Sequence, residues 1–431
     1  MSADHPHSVS HTRILLGLVL GAAIGCLVNA GVDSEVLPRP AVQWVVANLT
    51  KPIGAIFLNL IFLAIVPLVF ASIAVGVTRL GGASHIGRVG VRMLAYVLVT
   101  TVCAGVIGLT LVNSVRPGHL VPTAQRDRLF DEYKKEADEK LAASKKKEFG
   151  VSTFVNIVPA NPFQALVEKD MLAVIFTALL VGIALTRIDP TRGKLLIELL
   201  EGVNQIADFI IRLAMWMAPL GVFCLIFSTT ALFGYELLIA LAAFVFTVLA
   251  GLAIHLAVVL PLLVKFLGGM SPLDFFRKSW VTMITAFSTS SSSATLPTAM
   301  KCAEEELGVP KNVSQFVLPL SASMNHNGTA LFESVTVLFL AQLFGVDLSL
   351  GQQLVVLVLC ILTATGVAGV PGGSLPLIGL ILVQVNVPAG AIAIVFGIDR
   401  VLDMSRTMVN VTGDLTTAVF VARSEGCKTR G

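Results

Sequence analysis

Charge is what this chain has least of. Asp, Glu, Lys and Arg make up 13% of its 431 residues, while hydrophobic residues make up 55%. A soluble domain carries roughly 25% charged residues, so a water-soluble fold is excluded. Basic excess is scarce too: the net charge of +3 leaves no footprint for nucleic acid. The cysteines, Cys26, Cys103, Cys224, Cys302, Cys360 and Cys427, are scattered, mostly in apolar sequence, with no CxxC pair. That pattern reads as small hydrophobic filler and excludes a zinc or dithiol motif. No nucleophile–base–acid arrangement is visible, so an enzyme is not expected. His255, alone in an apolar run, reads as a satisfied interhelical donor rather than a ligand.

What the chain does have is long stretches free of Asp, Glu, Lys and Arg: 14–32, 52–78, 93–115, 213–235, 237–264 and 348–398. Crossing a bilayer as helix takes roughly 20 apolar residues, so this is an all-α polytopic membrane protein. The first stretch reads as a retained helix rather than a leader. Basic links at 79–92, 187–194, 265–278 and 423–430 belong on the cytoplasmic side. The insert 126–148 balances Lys with acids and belongs on the other side. Both termini are then cytoplasmic.

Two segments interrupt the apolar pattern with Ser, Gly and Pro: STSSSSATLP, containing Ser288 to Ser293, and TATGVAGVPGGSLPL, from Thr363 to Leu377. Irregular backbone at membrane depth is tolerated only when it is buried in protein or lines a cavity. Paired interrupted segments point to a transporter site. A third polar patch, SASMNHNGT from Ser321 to Thr329, combines Asn with Gly and predicts an unwound break. Carbonyls freed there are hard oxygen ligands suited to alkali cations.

The final helix carries the densest chemistry. At 100° per residue, Asp399, Asp403, Arg406, Asn410 and Asp414 fall within an arc of about 80°. Ionisable residues inside a membrane mark substrate or ion pathways. A self-neutralising cluster, with Arg406 paired to its acidic neighbours, is the competing reading.

These features together resemble the dicarboxylate/amino acid:cation symporter family. The resemblance rests on VPLVFASIAVGV, NIVPANPF, the serine-rich tip, TGVAGVPGG and RTMVNVTGD, and runs along the chain except for the charged insert. It implies eight transmembrane helices plus two re-entrant helical hairpins, built as inverted repeats, and a homotrimer in the cell inner membrane. The implied division is a tail (1–12), scaffold helices 1–2 (13–80), transport-domain helix 3 (81–116), an extracytoplasmic insert (117–153), scaffold helices 4–5 (154–236), the rest of the transport domain (237–423) and a second tail (424–431). The implied activity is uptake of an acidic amino acid, aspartate or glutamate, coupled to cations by elevator-type alternating access.

The resemblance also assigns residues. Ser292, Thr329, Gly369, Val370, Asp403, Arg406, Thr407 and Asn410 would meet substrate. Of these, Arg406 would take the side-chain carboxylate, Asp403 the ammonium, and Ser292 and Asn410 the α-carboxylate. An arginine fork suits a carboxylate. One Na+ site would use Asn325, Asn410 and Asp414. Another would use backbone carbonyls including Ala364, Thr365 and Val367. A third would use Thr100, Thr101 and the residue at 327.

The chain departs from the family at that third site, where Asn327 replaces an aspartate. Burying a cation without a carboxylate is costly. The neighbouring His326 brings a group that can titrate near neutral pH. Fewer coupled Na+ ions, or partial coupling to H+, is therefore expected. Ser290 and Met404 stand where relatives place a compensating arginine, so a less positive field around Asp403 is expected. A C4-dicarboxylate carrier, and an anion channel or non-transporting sensor on the same scaffold, are the alternative functions.

Overall fold

The computed structural model describes residues 11–80, 84–123, 126, 158–168, 171–366 and 374–427. Every regular element among them is helical. Five helical stretches are long and apolar enough to cross a membrane: Arg13–Asp33, Arg39–Thr78, Val89–Leu120, Pro190–Phe233 and Glu236–Gly268. The chain is therefore a multi-pass membrane protein. Most of the insert at 126–148 lies outside the described residues.

The first group of helices is α1 (His11–Asp33), α2 (Arg39–Val45), α3 (Lys51–Leu80), α5 (Pro162–Glu168), α6 (Met171–Leu185) and α7 (Pro190–Phe233). A π-turn, Val46–Thr50, joins α2 to α3. Helix α7 is longer than its charge-free window predicts, at 44 residues. Asp189 starts it early, its carboxylate accepting from the Thr191 and Arg192 N–H groups at 3.1 and 3.3 Å, with Pro190 preset for the first turn. The charged face of Lys194, Glu198 and Glu201 carries the helix beyond the apolar zone. Gly234, at φ 76°, ends it.

Helices α1 and α3 both pack on α7. The contact with α1 depends on Gly17, Gly21 and Gly25, spaced at i, i+4 and i+8 on one face. A Cβ on Gly17 would stand 2.4 Å from the Pro219 carbonyl oxygen, and one on Gly21 would stand 2.7 Å from that of Phe223. Small residues allow such backbone approach where lipid offers no hydrophobic drive between helices. Polar pairs tie α7 to both the turn before α3 and α1. Thr50 Oγ1 meets Ser228 Oγ at 2.6 Å, and Asn29 donates to the Ala231 carbonyl at 3.1 Å.

The second group is α4 (Ser84–Val115), α8 (Glu236–Ile254), α9 (Leu260–Leu263), α10 (Pro272–Thr289), α11 (Ser292–Lys301), α12 (Lys311–Met324), α13 (Asn327–Leu343), α14 (Leu350–Gly366), α15 (Leu375–Gln384), α16 (Ala393–Phe396) and α17 (Asp399–Ser424). Helix α13 is buried on all sides, packing against α4, α14 and α17. Helix α17 is buried along almost its whole length. A helix buried all round belongs to the centre of a bundle. His255 opens a π-turn in this group. It is fully buried and neither ring nitrogen meets a partner among the described residues, so the expected interhelical hydrogen bond is absent.

Replacing Gly21 by Leu forces α1 off the α7 backbone. Overpacking of this kind costs about 1–3 kcal/mol. The thermal midpoint of detergent-purified protein should fall, whereas Gly202→Ala, mid-helix where a Cβ meets nothing within 4 Å, should not lower it.

Candidate functional site

Three interruptions of helix are expected, and the two that are described meet α17. The first is the turn between α10 and α11, whose two helices pack on each other. Ser290 adopts φ 51°, and Ser291 caps α11 by accepting from the Ala294 N–H at 3.2 Å. A serine in the left-handed region is strained, and its buried hydroxyl finds no partner among the described residues. Ser292, next in line, is buried at the first turn of α11. The second interruption is the predicted break. Asn325 (φ −94°, ψ 87°) and His326 (φ −117°, ψ 55°) leave the helical region between α12 and α13. The third is the 367–373 stretch between α14 and α15, outside the described residues. Gly369, Val370 and Val367 fall there. Ala364 ends up buried at the close of α14 beside His326. Thr365 is helical, and its side chain is outside the description.

At the start of α17 four charges form a chain. Arg406 donates to Asp399 at 2.7 Å and, through Nε and Nη2, to Asp403 at 3.0 and 2.8 Å. Arg400 reaches Asp403 at 3.4 Å. All four side chains are at least nine-tenths buried. The Arg406 guanidinium also lies 4.4 Å from the centre of the Phe332 ring. The self-neutralising arrangement is thus the one seen here. The positive charge expected to be missing around Asp403 is supplied by Arg400, a correction to the sequence reading. Thr407, one residue on, donates to the Asp403 carbonyl at 2.7 Å.

A turn further along, Asn410 clamps the start of α13. Its Oδ1 accepts from the Gly328 N–H at 2.8 Å and its amide donates to Thr329 Oγ1 at 3.1 Å. Gly328 permits this approach, since a Cβ there would lie 2.7 Å from the Arg406 carbonyl oxygen. Asp414 follows, accepting from Ser321 Oγ at 2.6 Å and from the Asn325 amide at 3.0 Å. Among the described residues no basic side chain pairs with it. A buried carboxylate without a counter-ion, next to the unpartnered Asn325 Oδ1, is a set of hard oxygens fit for an alkali cation.

Asn327 sits on the α4 side. Its Oδ1 lies 3.3 Å from Thr100 Oγ1 and 2.9 Å from Thr101 Oγ1. Both hydroxyls are also near the Val97 carbonyl. The three residues proposed for a third cation do meet, and they form a neutral hydroxyl–amide knot.

Glu333 was not anticipated. It stands fully buried in α13, with Oε2 accepting from Thr363 Oγ1 at 2.7 Å and Oε1 unpartnered among the described residues. The one signal for it was an acid in the middle of an otherwise apolar helix. Between α17 and the α1–α7 pair lies a cleft, with Asp399, Arg400 and Asp403 on one wall and Ile14, Met215 and Val222 on the other.

Apolar helices interrupted around a buried, oxygen-rich cluster of balanced charge define a membrane carrier of small charged solutes. Residues 11–424 match the model of the sodium:dicarboxylate symporter family, and the chain belongs to that family. Family members of this kind are transporters, not enzymes. The chain is 35% identical to the proton/sodium-glutamate symport protein of Bacillus subtilis (strain 168), covering 96% of this chain and 92% of the relative. It is 32% identical to the proton/glutamate-aspartate symporter of Escherichia coli (strain K12), over the same shares. It is 30% identical to the C4-dicarboxylate transport protein of Bacillus subtilis (strain 168), covering 87% of each.

Thr363→Val leaves the Glu333 carboxyl buried without a donor, at about 1–3 kcal/mol. The thermal midpoint should fall, and Glu333→Gln, which keeps a group that accepts from Thr363, should cost less. Equal losses in the two variants would show that the hydrogen bond is not what holds this carboxyl.

Proposed function

We propose that this protein is a secondary active symporter that takes up an acidic amino acid, aspartate or glutamate, with Na+ and H+. The observation that carries the reading is Arg406, a buried guanidinium whose ion-pair partners among the described residues are carboxylates of its own helix. A cargo carboxylate is the natural replacement for Asp399 on its fork. Asp403, freed by the same exchange, would take the cargo ammonium. The second carboxylate would meet Asn410 and the first turn of α11 near Ser292, where helix N–H groups favour anions. Thr329, Thr407, Gly369 and Val370 would complete the binding site. The names of the glutamate and glutamate-aspartate relatives support the same cargo. The C4-dicarboxylate relative supports the second reading, a carrier for substrates that lack the amine Asp403 would bind. Excess succinate that fully competes with labelled aspartate would favour it.

The coupling ions follow from the same geometry. Na+ would bind Asp414, Asn325 and Asn410. A second Na+ would use carbonyls around Ala364, Thr365 and Val367. The knot of Thr100, Thr101 and Asn327 would carry none, because its oxygens already satisfy one another and no carboxylate is present. Glu333, buried with a free oxygen, is the group suited to take a proton, and His326 lies close by in the chain. The transport cycle would be an elevator. Helices α1 and α3 pack most extensively on α7, and α13 most extensively on α4, which would suit a scaffold and a moving domain. Eight spans with two re-entrant hairpins in inverted repeats, a homotrimer, residence in the cell inner membrane and cytoplasmic termini complete the proposal.

Proteoliposome uptake of labelled aspartate under separately imposed Na+ and proton gradients tests it. Arg406→Ala should abolish acidic-cargo uptake, Asp414→Asn should raise the Na+ needed at half-maximal rate by about tenfold or more, and Glu333→Gln should remove the response to the proton gradient. Normal Na+ dependence in Asp414→Asn would overturn the ion assignment. Asn327→Asp restores a carboxylate beside the two threonines. It should add one Na+ to the measured stoichiometry, and an unaltered protein already coupled to three Na+ ions would overturn the reading of the knot.

A further inference from the structure

Arg400 has no part in the binding set above, yet its position is costly. It is the second residue of α17, where the helix dipole disfavours a cation, and only 6% of its side chain is exposed. It shares the cleft wall with Asp399 and Asp403. In the structure the two acids and two guanidiniums of the first turns of α17 sum to zero charge, with Arg406 serving both acids and Arg400 pairing with Asp403.

Cargo binding upsets that balance. On the proposed function, on which this inference rests, the cargo carboxylate occupies Arg406 and the cargo ammonium occupies Asp403. Asp399 then loses its 2.7 Å partner, and Asp403 no longer needs Arg400. A buried carboxylate left without a counter-ion costs several kcal/mol, a cost that would hold Arg406 on Asp399 and keep cargo out. Asp399 and Arg400 are chain neighbours on one wall of one cleft.

We propose that Arg400 is a positioning residue for cargo exchange, the cation that takes over Asp399 when cargo takes Arg406 and Asp403. In the empty protein it holds Asp403 and draws that acid away from Arg406. In the loaded protein it neutralises the acid that Arg406 has released. It acts through Asp399 and Asp403 and touches no part of the cargo.

The prediction is a matter of charge count. Arg400→Gln leaves the empty cluster at one net negative charge, and an anionic cargo enters against it. Asp399→Asn combined with Arg400→Gln returns the cluster to zero and removes the orphaned acid. In proteoliposomes under a fixed Na+ gradient, Arg400→Gln should raise the KM for labelled aspartate about tenfold, with the maximal rate within about twofold. The double variant should bring KM back to within about threefold of the unaltered protein. A purely structural arginine would not be rescued by deleting a second charge. An unchanged KM in Arg400→Gln, or no recovery in the double variant, overturns the inference. If Arg400→Gln does not fold, Asp399→Asn alone decides. Removing the competitor for Arg406 should hold or lower KM, and a raised KM overturns the inference. Uptake by the unaltered protein separates this outcome from the proposed function: no aspartate uptake at all removes the cargo reading and this one with it.

Discussion

A guanidinium cannot stand alone in an apolar bundle, and the centre of this protein is arranged around that constraint. Arg406 is sequestered from water, so its charge must be met by neighbours. Asp399 and Asp403 meet it at two turns' and one turn's distance, respectively, along the same helix. Those acids then need company of their own, which Arg400 supplies to Asp403. The rest of the site follows from placing this chain correctly. Gly328 and Gly413 bring the broken helix against α17, Asn410 pins the start of α13, and Phe332 covers the face of the guanidinium.

The same economy governs the uncharged part. The break at Asn325 and His326 releases backbone groups that an unbroken helix would have satisfied, and side-chain amides gather around it. Where an acid is present, at Asp414, donors converge and the charge remains uncompensated by protein. Where an amide stands, at Asn327, two hydroxyls close on its oxygen, while its nitrogen meets no partner among the described residues. On the proposed function, this difference between acid and amide is what separates a site that would hold an ion from one that would not.

Much of this was legible in the sequence because the signals are local. The stripe from Asp399 to Asp414 follows from helical periodicity, and the break at Asn325 and the turn at Ser290 follow from runs of residues that disfavour helix. Arg400 was missed because it lies off that stripe, and its link to Asp403 depends on a side chain reaching back across three residues. Glu333 was missed because a single acid in an apolar run carries no pattern; its meaning comes from Thr363, thirty residues away. The meeting of Thr101 with Asn327 spans 226 residues and was reached through family resemblance, not through composition. The start of α7 lies outside its charge-free window because the charged residues there end only the apolar zone, not the helix.

The cleft beside α17 has one further consequence. Its outer wall, Ile14, Met215 and Val222, offers no donor or acceptor, while the charges opposite are already engaged within their own helix. A charged face set against such an apolar wall would be resisted, in sliding past it, chiefly by the fit of side-chain shapes.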